Sequence, residues 1–157
     1  MHTKLVTAAA AVVLAAAALA GLASAGGATK QQQIALSYGD GNPAKVALTP
    51  LTPGAILADQ GSTSWCCWTQ KTVRQDGRQL EVDNPLATFV GKRGSLVWRE
   101  QITWIDLTDG YSVANGTWRI VSGSGAYRHL SGHGHVVFVN VGSKVMSYRA
   151  VGLADAG

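Results

Sequence analysis

Three groups of residues in this chain have the types and spacing that chemistry needs. The first is a carboxylate among tryptophans, Glu100 in the stretch SLVWREQITWIDL. Strand alternation puts Trp98, Glu100, Ile102, Trp104 and Asp106 on one face, and Val97, Arg99, Gln101, Thr103 and Ile105 on the other. Two indoles and an isoleucine mark the first face as inward, and Glu100 goes in with them. A bare buried carboxylate costs many kcal/mol, so an inward glutamate is paired, hydrogen-bonded or kept protonated. Such a carboxyl can serve as a general acid or base, which makes Glu100 the candidate catalytic residue. The plainer reading gives it an arginine partner or a route to solvent at an opening.

The second group is His133 and His135, two apart and so on one face of a strand, a spacing that can chelate zinc or copper. His129 precedes them, and Glu100 or Asp106 could add an oxygen. No second Cys/His cluster completes a closed site, and histidines flanking Gly134 fit a solvated rim equally well. The expectation is therefore no metal and no cofactor. The third group is Cys66 and Cys67 in SWCCWTQ, the chain's only cysteines. An adjacent pair cannot staple distant elements. In an oxidising compartment three states stay open: thiols, a disulfide between neighbours, or a bridge between chains. A disulfide between neighbours would interrupt the strand and offer a hard apolar contact or a redox-sensitive switch. Of Trp65 and Trp68, whichever faces inward belongs to the core.

The elements that position these residues are strands and turns. Asp40-Gly41, Asp76-Gly77 and Asp109-Gly110 tolerate the positive φ of tight reversals, and Gly142-Ser143 reads as a two-residue hairpin loop. Thr49 to Thr63, with Pro50, Pro53, Gly54 and Gly61, reads as a long connection. About eight strands are expected, near 33–38, 44–49, 64–73, 78–83, 95–107, 111–121, 133–141 and 144–153, with 86–90 as a further short one. That pattern indicates a sandwich or barrel.

The glycine-rich stretch GSGAYRHLSGHGHVVFV decides between them. It lacks the third glycine of a dinucleotide fingerprint and the Lys-Ser/Thr end of a phosphate loop. Gly123, Gly125, Gly132 and Gly134 suit a bend where side chains would clash, and Tyr127 and Leu130 are sized to tuck over the end of a core. The segment NGTWRIVSGSGAYRHLSGHG resembles the G-T-W-x-I-x-G-G-x-G-x-Y/F-x-x-L/A-x-G-x-G segment of the allene oxide cyclase and dirigent barrel superfamily. In particular it is similar to small exported bacterial proteins with allene-oxide-cyclase-like barrels. Ser122 stands where those families usually have glycine. The close match covers about 20 residues, and strand count extends it loosely over 33–153. The resemblance implies an eight-stranded antiparallel closed barrel with a ligand cavity. Its plant cyclases rearrange an unstable fatty-acid epoxide, and its dirigent members steer the coupling of phenolic radicals. The matched segment is a packing element, so no active residue carries over.

Residues 1–25 have a basic start (His2, Lys4), an apolar run from Leu5 to Leu22 and Ala23-Ser24-Ala25, the pattern of a cleaved secretory signal peptide. A flexible tail is expected over 26–32 and a single barrel domain over 33–157. The mature chain, about 130 residues, is one domain's worth and buries roughly two thirds of its unfolded surface. Removal of Lys4 leaves 12 of the 13 basic residues against 9 acidic ones, net +3, and the basic residues form no run. No basic stripe interleaved with aromatics is visible, so nucleic acid is not an expected partner. The expectation is a secreted, extracellular barrel with no membrane insertion after cleavage. It would bind a small apolar or amphipathic molecule against Trp98, Ile102, Trp104 and Trp118. An isomerase or cyclase using Glu100 and a filled structural barrel are the alternatives. A homo-oligomer is compatible with either.

Overall fold

A strand that alternates large apolar residues with polar ones must bury one face, and a sheet of such strands avoids exposed edges by closing on itself. The computed structural model describes residues 31–39 and 45–157. Their strands are β1 (Gln31–Gly39), β2 (Lys45–Pro50), β3 (Asp59–Cys66), β4 (Gln70–Gln75), β5 (Arg78–Asp83), β6 (Leu86–Gly91), β7 (Gly94–Asp106), β8 (Tyr111–Gly123), β9 (Ser131–Val141) and β10 (Lys144–Asp155). Every pairing is antiparallel. The ring runs β1-β2-β3-β6-β7-β8-β9-β10 and returns to β1, a closed eight-stranded barrel. The β4–β5 hairpin stands outside the ring and joins it through three residue pairs between β5 and the far part of β7.

Inward positions alternate as expected along β7: Leu96, Trp98, Glu100 and Ile102 are buried. Trp104 is half-buried and Asp106 is exposed where the strand leaves the barrel. Phe89, Trp118, Val136, Phe138, Tyr148 and Ala150 complete the same interior from the other strands.

The glycine-rich segment turns the corner between β8 and β9 and seals one end. Tyr127 and Leu130 are buried over that end of the core. Gly125 has φ +58, and a Cβ there would lie 2.3 Å from the Arg93 carbonyl oxygen in the β6–β7 turn, so only glycine lets these turns pack. Buried Asp59 ties the same end together. Its carboxylate accepts the backbone N–H groups of Gln60, Lys92 and Arg93 at 2.8, 3.2 and 3.0 Å, and the Tyr127 hydroxyl at 2.7 Å.

Some sequence expectations need correction. The expected strand 64–73 is two strands, and β3 begins at Asp59, inside the segment read as connection. Cys67 has φ 57, outside the strand region, and breaks the run between β3 and β4. Residues 86–90, expected as a further short strand, belong to barrel strand β6. The segment 78–83, counted among the main strands, lies in the external hairpin. Gln31 and Gln32 of the expected tail belong to β1, where the Gln32 side chain is buried and bonds Thr52 and Ile56. The signal peptide, the rest of the tail and the Asp40-Gly41 turn lie outside the described residues.

Candidate functional site

Opposite the sealed end, β1, β3, β7 and β9 finish and β2, β6, β8 and β10 begin; this rim is the mouth. The site is built inward from this mouth. Glu100 faces Trp118 in the β7–β8 register and is fully buried. Its Oε1 accepts two hydrogen bonds of 2.7 Å, one from the Trp98 indole N–H and one from the Tyr148 hydroxyl. Its Oε2 is buried with no partner among the described residues, and so is the hydroxyl of Tyr38.

Burial raises the Glu100 carboxyl above the ordinary glutamate range, and the two donated hydrogen bonds only partly offset this. The protonated form is therefore favoured more than in an exposed glutamate. Burial also raises the Tyr38 and Tyr148 phenols, and a Glu100 charge would raise them further. Both tyrosines are hydrogen-bond donors at any ordinary pH. The cluster thus holds a carboxylic acid and a phenol, each with unused hydrogen-bonding capacity.

Aromatic rings connect this cluster to the mouth. Trp104 packs on Phe138 (ring centres 5.8 Å apart), Phe138 on Tyr148 (4.6 Å), Tyr148 on Tyr38 (4.1 Å) and Tyr38 on Trp65 (5.0 Å). Five rings from five strands form a continuous wall. Trp104 is anchored by its indole N–H, which donates to Asp83 on β5 at 3.0 Å. A cleft of about 1210 Å³ lies outside, lined by Trp104, Asn140 and Ser112 of the barrel, Leu107 of the β7–β8 turn, and Arg78 and Leu80 of the hairpin.

The expected ligand-contacting residues take different places. Trp104 is at the mouth. Trp98 and Ile102 are core residues flanking Glu100. Trp118 lies over Gly134 and Gly152, and its indole N–H donates to the His135 carbonyl at 3.1 Å. A Cβ on Gly134 would lie 2.8 Å from that indole nitrogen, so the glycine is what lets the ring lie against the sheet. His133 and His135 are exposed on the outer face of β9, next to Arg119 and Thr117 of β8, whereas the Glu100 carboxyl two strands away turns inward. No group of three metal-ligating side chains occurs among the described residues. Cys66 and Cys67 are joined as a disulfide between neighbours where β3 leaves the mouth for the hairpin. Trp65 is the inward indole there, and Trp68 is exposed.

Sequence reasoning missed Tyr38, Phe138, Tyr148 and Asp59. For Tyr148 a signal existed: Tyr148, Ala150, Gly152 and Ala154 alternate as one large and three small residues, the inward face of a strand beside a bulky neighbour. Asp59 carried no such signal, because apart from the neighbouring Gln60 its partners come from two distant turns.

No family model matches the chain, and no similar curated protein or solved structure was found.

Proposed function

We propose that this barrel binds a small, partly apolar molecule at its open end, the apolar body lying along the five-ring wall and a polar group reaching the Glu100–Tyr38 pair. One observation carries the reading: a fully buried carboxyl with one free oxygen at the inner end of an aromatic wall that leads to a cleft. Apolar surfaces with a few convergent polar groups are what small-molecule sites consist of. The leader-like residues 1–25 support action outside the cell, and the corner's resemblance to allene oxide cyclase-type barrels supports an interior ligand.

The upward shift of the Glu100 carboxyl pKa favours one second reading. A neutral acid at the end of an apolar channel can deliver and recover a proton, as an isomerase or cyclase requires. Glu100→Gln separates the two. It leaves affinity within about threefold if the protein is a binder that needs only a hydrogen-bonding atom at the Oε2 position and the Tyr38 hydroxyl, and it abolishes turnover if the acid is catalytic.

Native mass spectrometry of the protein from its growth medium tests the proposal directly. A co-purified small molecule, lost in a variant that fills the wall (Ala114→Phe or Ala150→Phe) while the fold survives, supports it. Failure of phenols, terpenoid alcohols and fatty acids to bind, by ligand-observed NMR, would leave a filled structural barrel.

A further inference from the structure

The outer face of the barrel carries a second concave feature, unrelated to the mouth. Arg99 of β7 stands directly opposite Arg119 of β8, and Arg119 directly opposite His133 of β9. His135 follows two residues along β9. These side chains edge a trough of about 600 Å³ whose apolar side is Val151 and Leu153 of β10. Register gives this row Leu86, Thr117, Val151 and Leu153 as its other lateral neighbours; Glu100, which also lines the trough, follows Arg99 along β7 and turns inward, its Oε1 held by Trp98 and Tyr148. Like charges directly opposite on a sheet destabilise it. Basic residues with no run in the sequence are thus gathered by the fold at a cost that an anion would remove.

We propose that this trough binds a small organic oxyanion, a phosphate or sulfate ester. Its anionic group is held by the Arg99 and Arg119 guanidinium groups and the His133 ring, and its apolar body lies on Val151 and Leu153. Guanidinium donors match the geometry of such oxyanions, and a lone inorganic ion leaves the apolar part uncovered.

The test uses phenyl phosphate, phenyl sulfate, inorganic phosphate and phenol as probes, titrated into the full-length mature protein at low salt and followed by the imidazole NMR signals of His133 and His135. The expected result is saturable binding of both esters, at least fivefold tighter than inorganic phosphate, with no response to phenol. Binding weakens at least fivefold between 20 and 200 mM salt. Arg119→Gln and Arg99→Gln each weaken it at least tenfold, while Lys144→Gln, at the other end of the barrel, leaves it unchanged. Saturation by only one ester assigns the site to that ester's class and still supports it. Unaltered binding in both arginine variants, or shifts spread evenly over every exposed basic residue, overturns the proposal. Leu153→Ser keeps the test open if an arginine variant does not fold: the ester's advantage over inorganic phosphate must then disappear.

Discussion

At the scale of single residues, the barrel holds two buried carboxyl groups of opposite character. Glu100 sits where its charge is disfavoured. Its raised value means that folding holds a proton the unfolded chain would release, so this part of the stability is full below the ordinary glutamate value, about 4.3, and is lost as pH rises through the folded value. Glu100→Gln keeps the acceptor for Trp98 and Tyr148 without an ionisable proton. The expected result is a flatter melting-temperature profile between pH 4 and 9, with the variant at least as stable as the parent at pH 8. Asp59 is the reverse case. Burial would raise it, but the hydrogen bonds from Tyr127, Arg93, Gln60 and Lys92 outweigh that and hold it below the usual aspartate range. Its contribution is full above about pH 4 and is lost as pH falls through the folded value. Removing one donor with Tyr127→Phe should cost about 1–3 kcal/mol at pH 7 and less in acid, measured by urea unfolding at pH 7 and pH 3.

At the scale of elements, the β4–β5 hairpin is an insertion. Cys66 of β3 is paired directly with Leu86 of β6, so the barrel is already continuous without the residues between them. Replacing 67–85 by Asn-Gly should leave a cooperatively melting barrel with an intact near-ultraviolet signal from Trp98 and Trp118. It should also release Trp104, which loses Asp83, and remove the outer cleft. Gly134→Ala acts on an element the other way. Its Cβ would meet the Val151 carbonyl at 2.1 Å, and the resulting shift of the β9–β10 pair should cost about 1–3 kcal/mol in the same unfolding assay. Elements of this kind were unevenly legible in the sequence. β7, β8 and the glycine-rich corner could be read because alternation and turn chemistry are local. β3 could not: Asp59-Gln60-Gly61-Ser62 has poor strand propensity and is held in place by β2 and β6, far along the chain. Glu100 and its same-face partner Trp98 could be located by alternation, but Tyr148 could not, since it meets Glu100 only after the sheet has closed.

At the scale of the whole molecule, closure couples everything. Each barrel strand has two neighbours, so no strand can peel away without breaking two ladders. Tryptophan fluorescence and far-ultraviolet circular dichroism should therefore report one coincident unfolding transition, whereas separate transitions would mean that the sealed end and the mouth melt independently.

The seam between β1 and β10 has a consequence for how this chain comes to be folded. Gln31 pairs with Asp155 and Ser37 with Arg149, so the earliest strand is stitched to the latest one. A ribosome that has delivered only β1 to β9 has made a sheet with an unsatisfied edge and no lid over its aromatic interior. The barrel cannot close until β10 (Lys144–Asp155) has emerged, and a chain whose seam is still open can be drawn out lengthwise one strand at a time.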